Sequence, residues 1–166
     1  MDCYFMKTEE IILNNFQLKY PLERLALLSD ILFLDIETTG FLTGSSSIYL
    51  IGCAYYEDGN WKLRQWFAQT PDEESEILSA FLAFAEPYSY LIHYNGNTFD
   101  LPFLRKKADK YGISYTLSSK KGLDIFRRIT PYKNFLKLPD CKLKTIESFL
   151  GIHREDIYTG GQLIQV

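Results

Sequence analysis

The stretch Ile31-Leu32-Phe33-Leu34-Asp35-Ile36-Glu37-Thr38-Thr39-Gly40 decides how the chain is read. Four apolar residues lead into an acid, a further apolar residue, a second acid, two threonines and a glycine. A short run of Ile, Leu and Phe closed by glycine predicts a buried strand. Side chains alternate along a strand, so Asp35 and Glu37 share one face, about 6–7 Å apart. Desolvation and mutual repulsion penalise two carboxylates at the end of a buried strand. A hard divalent cation relieves both. Solvated acids at a surface strand end are the other reading of a lone D-x-E, and the rest of the chain has to decide.

Outward from this strand, residues 47–56 are rich in Ile, Leu and Tyr, Glu57-Asp58-Gly59-Asn60 carries the Asp-Gly hairpin signal, and residues 61–68 return. This predicts a three-strand antiparallel meander. A helix follows from Pro71 to the residue before Pro87, with Thr70 as cap and acids in its first turn. Residues 89–94 form a fourth strand. The intervening helix makes it a parallel neighbour of the first strand. Residues 98–111 form a helix whose late cations, Arg105, Lys106, Lys107 and Lys110, suit its dipole. A short strand over 122–126 and a helix over 142–150, stopped by Gly151, complete the pattern. Residues 1–20 show no clear period, and a helix opens at Pro21 with Leu22, Leu25 and Leu28 on one face. Residues 1–29 thus read as an N-terminal extension packing on a domain spanning 30–166. The fold class is α/β, a mixed sheet combining the meander with parallel strands flanked by helices.

Composition bounds the partners. A chain of 166 residues, 46% hydrophobic and 23% charged, is long enough for one domain with a sizeable core. The net charge of −3 excludes a uniformly basic nucleic-acid binder. Its distribution is uneven, with a net of −10 over residues 1–100 and +7 over the rest. The second half therefore either meets a polyanion or presents a solvated basic face. Cys3, Cys53 and Cys141 are odd in number and form no C-x-x-C, which argues against structural zinc and a disulfide framework. The first ten residues lack a signal-peptide pattern, and no apolar run reaches the ~20 residues of a membrane span. The expectation is a cytoplasmic chain with no membrane partner.

The second informative stretch is His93-Tyr94-Asn95-Gly96-Asn97-Thr98-Phe99-Asp100. A strand ends, a turn follows, and Asp100 falls in the first turn of a helix. With the fourth strand beside the first, Asp100 faces the pocket of Asp35 and Glu37, and three acids converge from two strand ends.

The pair Asp35–Gly40 (DIETTG) and Asn95–Asp100 (N-x-x-x-F-D) resembles the first two motifs of the DEDD-type 3′–5′ exonucleases, which have the ribonuclease H-like fold. The segments SSSIYLIG, WKLRQWFA, YNGNTFDLPFLRKK, LDIFRR and LKTIESFLGIHREDIYTG are similar to those of the YprB-type ribonuclease H-like family. The resemblance implies a metal-dependent nuclease that hydrolyses phosphodiester bonds at single-stranded 3′ ends of DNA or RNA, using two divalent ions, Mg²⁺ or Mn²⁺. By the same resemblance, Asp35 bridges both ions, Glu37 binds the ion that activates water, and Asp100 binds the other. Thr38, Thr39, Gly40 and Phe41 meet the terminal nucleotide. Phe41 either lies against a base or folds onto the domain. Asn95 and Phe99 count with the substrate-binding residues, Asn95 chiefly as the residue that shapes the turn.

The family's third motif supplies a fourth acid from a later helix, expected beyond Thr159-Gly160-Gly161; the sequence has only five residues after Gly161. Asp124 reads as a strand-end or supporting acid, Asp140 as a loop residue, and Asp156 as a partner of Arg154 or a turn cap. The expectation is a domain truncated at its C-terminus or one whose metal site is incomplete. A catalytically incomplete nucleic-acid-binding module is therefore the alternative. His93 reads as core or supporting, His153 as exposed. The D-x-E-x-T run also loosely resembles the nucleophile motif of haloacid dehalogenase-like phosphatases. Those need a later acidic pair, which the Asn95–Asp100 element is not.

Overall fold

Six strands and four helices carry the fold in a computed structural model that describes residues 6–14 and 16–152. The strands are β1 (Lys7–Ile12), β2 (Ile31–Thr38), β3 (Ile48–Glu57), β4 (Asn60–Phe67), β5 (Tyr90–His93) and β6 (Lys121–Asp124). The helices are α1 (Glu74–Ala85), α2 (Asp100–Tyr111), α3 (Ile125–Ile129) and α4 (Leu143–Phe149). One mixed sheet has the order β1-β4-β3-β2-β5-β6. β2, β3 and β4 form the expected antiparallel meander, and β5 lies parallel to β2, with Phe33 opposite Ile92. Asp58 and Gly59 both have positive φ, 51° and 79°, as a two-residue hairpin requires.

Alternation in β2 sorts its side chains between two faces. Leu32, Leu34 and Ile36 are buried against Ile77 and Phe81 of α1 and Phe103 and Leu104 of α2. Asp35 and Glu37 therefore project from the other face. A second cluster covers part of that face, where Leu22, Ile31, Trp61 and Ile92 bury one another with Leu13, Leu18 and Leu25 packed against them. The acids sit beyond this cover, at the C-terminal end of the central strand.

Three local elements differ from the sequence expectation. Residues 22–28 do not form one helix; short 3-10 turns occupy Leu22–Arg24 and Leu28–Asp30, with extended backbone at Leu27. Of the three leucines only Leu22 is fully buried, so there is too little apolar face to hold a longer helix. Lys7–Ile12, without any sequence period, forms an edge strand on β4. All six of its residues are exposed, so burial imposes no alternation there. At the next helix, Pro71–Glu73 is a 3-10 turn that leads into α1, and Thr70 makes no side-chain cap. His153, Arg154, Asp156 and the Gly160-Gly161 turn lie outside the described residues.

Candidate functional site

The site is built where β2 outruns β5. Pairing between them stops at Phe33 and Ile92, so the edge of β2 beyond that point needs another partner. Asp100, the first residue of α2, supplies it: its Oδ1 accepts the Ile36 N–H at 3.1 Å. The acid of the second motif is thereby tied to the residue between the two acids of the first. Asp100 is only 5% exposed. Burial pushes its carboxyl up to about 6; hydrogen bonds from its own and the Ile36 backbone oppose that, and the charges of Asp124 and Glu37 add to it. Burial also raises the pKa of Glu37. A β-bulge between Glu37 and Thr38 ends the regular register at this point.

Asp124 holds the turn that delivers Asp100. It stands at the end of β6, opposite His93, and is 5% exposed. Its Oδ1 accepts the Asn95 N–H at 2.9 Å and its Oδ2 the Asn97 N–H at 3.3 Å. It also caps α3 through the Arg127 N–H. This fits the reading of Asp124 as a strand-end, supporting acid. Asn95 adopts a left-handed φ of 60°, and its carbonyl accepts from Thr98 and Phe99, so it does shape the turn. His93 is buried beneath it, with Nδ1 3.8 Å from Asp124 Oδ2.

The loop after β2 is tied back on itself. Thr38 Oγ1 donates to the Gly40 carbonyl at 2.8 Å, and Thr39 Oγ1 accepts the Ser47 N–H at 2.9 Å. A Cβ at Gly40 would stand 2.7 Å from Ser46 Oγ, so the close approach there favours glycine. Phe41 is 88% exposed and meets Phe99 edge-to-face at 6.1 Å. Phe41 thus contacts the domain through Phe99 and still presents most of its ring to solvent.

Sequence reasoning missed three residues around this loop. Lys107 does not lie on the solvated late face of its helix; it is 2% exposed. Its Nζ donates to the Ser46 carbonyl and pairs with Glu74 Oε1 at 3.1 Å. Glu74 is fully buried and accepts the Ile48 N–H at 2.7 Å and the Tyr111 hydroxyl at 2.5 Å. The pair so fixes both residues where the loop enters β3. Tyr49 is the third; burial and the charge of Glu37 raise its pKa, and its hydroxyl has no hydrogen-bond partner among the described residues. The Pro71-Asp72-Glu73-Glu74 run offered the only signal for Glu74, and it reads equally well as helix-dipole acids.

Two clefts meet at Asp35. One, about 440 Å³, runs over the open face of the sheet past Glu37, Leu50, Gly52 and His93. The other, about 530 Å³, runs from Asp35 past Tyr94 and Asn95 to Phe126, Cys141 and Lys142. Among the described residues, no three His, Cys, Asp or Glu side chains stand close enough together to hold a metal ion. Asp35, Glu37 and Asp100 share one strand end without closing on a common point. Their donor chemistry does fit a hard divalent cation. All are carboxylates, and the charges of Glu37 and Asp124 disfavour ionised Asp100 in a way that a cation would offset.

Residues 32–166 match the RNase_H superfamily. The chain is 30% identical to a DNA polymerase of Thermococcus hydrothermalis over 75% of its own length but only 9% of the polymerase. It superposes on the family B DNA polymerase of Pyrobaculum calidifontis with a TM-score of 0.65 at 15% identity, over 81% of this chain and 20% of that one. It superposes on E. coli exonuclease I in a complex with single-stranded DNA with a TM-score of 0.58 at 14% identity, over 81% of this chain and 38% of the other. At such identities these likenesses concern the fold, and in each case the chain spans a minor part of the relative's length. With 81% of its length superposable on such folds and the match from Leu32 onward, the chain belongs to the RNase_H superfamily.

Proposed function

We propose that this chain is a metal-dependent nuclease domain of the DEDD type, with the segment pattern of the YprB-type family, acting as a 3′–5′ exonuclease on single-stranded DNA or RNA in the cytoplasm. The observation that carries the reading is the Asp100–Ile36 hydrogen bond, which brings the second motif's acid to the strand that bears the first motif's two. E. coli exonuclease I, a fold neighbour, is described with single-stranded DNA and with a zinc ion, which supports the substrate and cofactor classes.

In this reading Asp35, Glu37 and Asp100 would hold Mg²⁺ or Mn²⁺. Such ions, when bound, supply charge neutralisation at a phosphate and acidify water. The protein's own groups do the positioning. Asp124 orients the Asn95–Asn97 turn, so that Asp100 enters the site from a fixed helix start. Phe41 and Phe99 offer ring surface to the terminal base, a contact every base can make. Thr38, Thr39 and Gly40 close the loop beneath it.

The test uses end-labelled single-stranded DNA and RNA with Mn²⁺ or Mg²⁺. Stepwise shortening from the 3′ end, abolished in Asp35→Ala, is the expected result. Binding without cleavage, by this chain and by a form extended past Val166, would overturn it in favour of a nucleic-acid-binding module.

A further inference from the structure

The cleft that leaves Asp35 past Tyr94 and Asn95 is walled on its far side by residues 126 and 140–143. The segment from α3 to the start of α4, residues 125–144, contains Arg127, Arg128, Lys133, Lys137, Lys142 and Lys144, and a single acid, Asp140. Its cations reach solvent near the cleft: Lys142 lines it with a side chain 82% exposed, and Arg127, 63% exposed, stands 3.8 Å from Asp124 beside the Asn95 turn. Asp140 Oδ2 stands 4.0 Å from Lys142 Nζ, an exposed pair that leaves the segment strongly positive, with six cations to one acid. The same segment exposes two aromatic rings, Tyr132 at 60% and Phe135 at 83%. Exposed rings alternating with cations suit unpaired bases on a flexible phosphate backbone. They do not suit an apolar partner, which would not need the cations.

We propose that this cleft and the basic, aromatic segment behind it form the channel for the single-stranded nucleic acid that trails from the end held at Asp35. Arg127 and Lys142 contact its phosphates and Phe135 stacks on a base. This rests on the nuclease reading for which end is held, while the surface itself is tested separately.

The experiment measures fluorescence anisotropy of labelled oligo-dT and oligo-rU, about 4 and about 16 nucleotides long, in EDTA, with the whole chain. The unmodified protein binds the longer strand at least about tenfold more tightly. In Arg127→Ala/Phe135→Ala/Lys142→Ala that length-dependent gain falls about tenfold. The slope of log affinity against log salt becomes shallower by about 1.4, roughly 0.7 for each phosphate that the variant no longer neutralises. Lys142→Glu alone weakens the longer strand more than Lys142→Ala does, and Lys142→Arg retains it. An unchanged gain in the triple variant, with the melting temperature preserved, overturns the proposal. So does equal competition by poly-glutamate, which would point to an acidic protein partner. If the gain is lost as expected but Mg²⁺ and Mn²⁺ elicit no hydrolysis, the nuclease reading falls and the channel stands. If hydrolysis occurs and the gain is indifferent to these residues, the reverse holds.

Discussion

Asp100 Oδ1 takes the Ile36 N–H where β5 no longer reaches, so one carboxylate completes the edge of the central strand and ties an acid to the residue between Asp35 and Glu37. A buried N–H left unpaired would destabilise the fold by about 1–3 kcal/mol, so this bond has a structural reason of its own. The same burial opposes ionisation and holds the pKa near 6, well above the ordinary 3.8. The two effects pull apart under substitution.

Asp100→Asn keeps an oxygen for Ile36 and removes the disfavoured charge. In EDTA at neutral pH it should melt at or above the temperature of the unmodified protein. Hydrolysis should fall by on the order of a hundredfold or more, since loss of a cation ligand removes several kcal/mol of charge stabilisation. A lower melting temperature together with retained hydrolysis would show that Asp100 serves the strand edge alone.

Glu74 and Lys107 form a buried pair that clamps both ends of the junction between the 39–47 loop and β3. Lys107→Ala leaves the buried Glu74 carboxylate with only the exposed Lys110, 3.9 Å away, as its cation and should destabilise the domain by about 3 kcal/mol in urea unfolding. Glu74→Gln/Lys107→Gln leaves no uncompensated charge and should lose clearly less than the two single changes added together. Additive losses would mean that the pair does not act as a unit. Amide exchange at Ser46–Ile48 should quicken in Lys107→Ala ahead of exchange in β2.

Gly96 packs onto the His93 ring: a Cβ there would stand 2.7 Å from both Cγ and Nδ1. Gly96→Ala should destabilise by about 1–3 kcal/mol through overpacking. His93→Ala made alongside it opens the space, so the double variant should lose less than the sum of the singles. Equal losses with and without His93 would move the cause of the glycine to the turn backbone.

How far the sequence could be read follows from which contacts are local. β2 announced itself because burial on one face forces alternation, and the Asp58-Gly59 turn because its φ values demand such residues. The convergence of Asp35, Glu37 and Asp100 on one strand end needed only the right neighbour for β2, which the intervening helix implied. Lys107 was illegible because its burial depends on Glu74, a partner on another helix. A lysine late in a helix otherwise looks like an ordinary dipole partner. β1 was illegible for the opposite reason: an exposed edge strand imposes no pattern on its side chains. The sequence does not set the spacing of the three acids: among the described residues they share a strand end without meeting on a common point.

His93 sets a pH dependence of its own. Its ring is 3% exposed and neither nitrogen has a hydrogen-bond partner among the described residues. Burial lowers its pKa below the ordinary 6.5; the Asp124 carboxylate opposes this, and Arg127 reinforces it. The unfolded chain therefore takes up a proton near pH 6.5 that the folded chain refuses until lower pH, so the unfolded state binds more protons in that window. The contribution to stability is fully present above pH 6.5 and is lost as pH falls toward the folded pKa. His93→Phe should lose that part of the slope of unfolding free energy below about pH 6.5, whatever its effect on stability at pH 8. Urea titrations across this range in EDTA, on the unmodified protein and the variant, measure it. Parallel slopes would mean that folding does not shift the ring's pKa; a steeper loss in the variant would mean that Asp124 holds the ring protonated in the folded state.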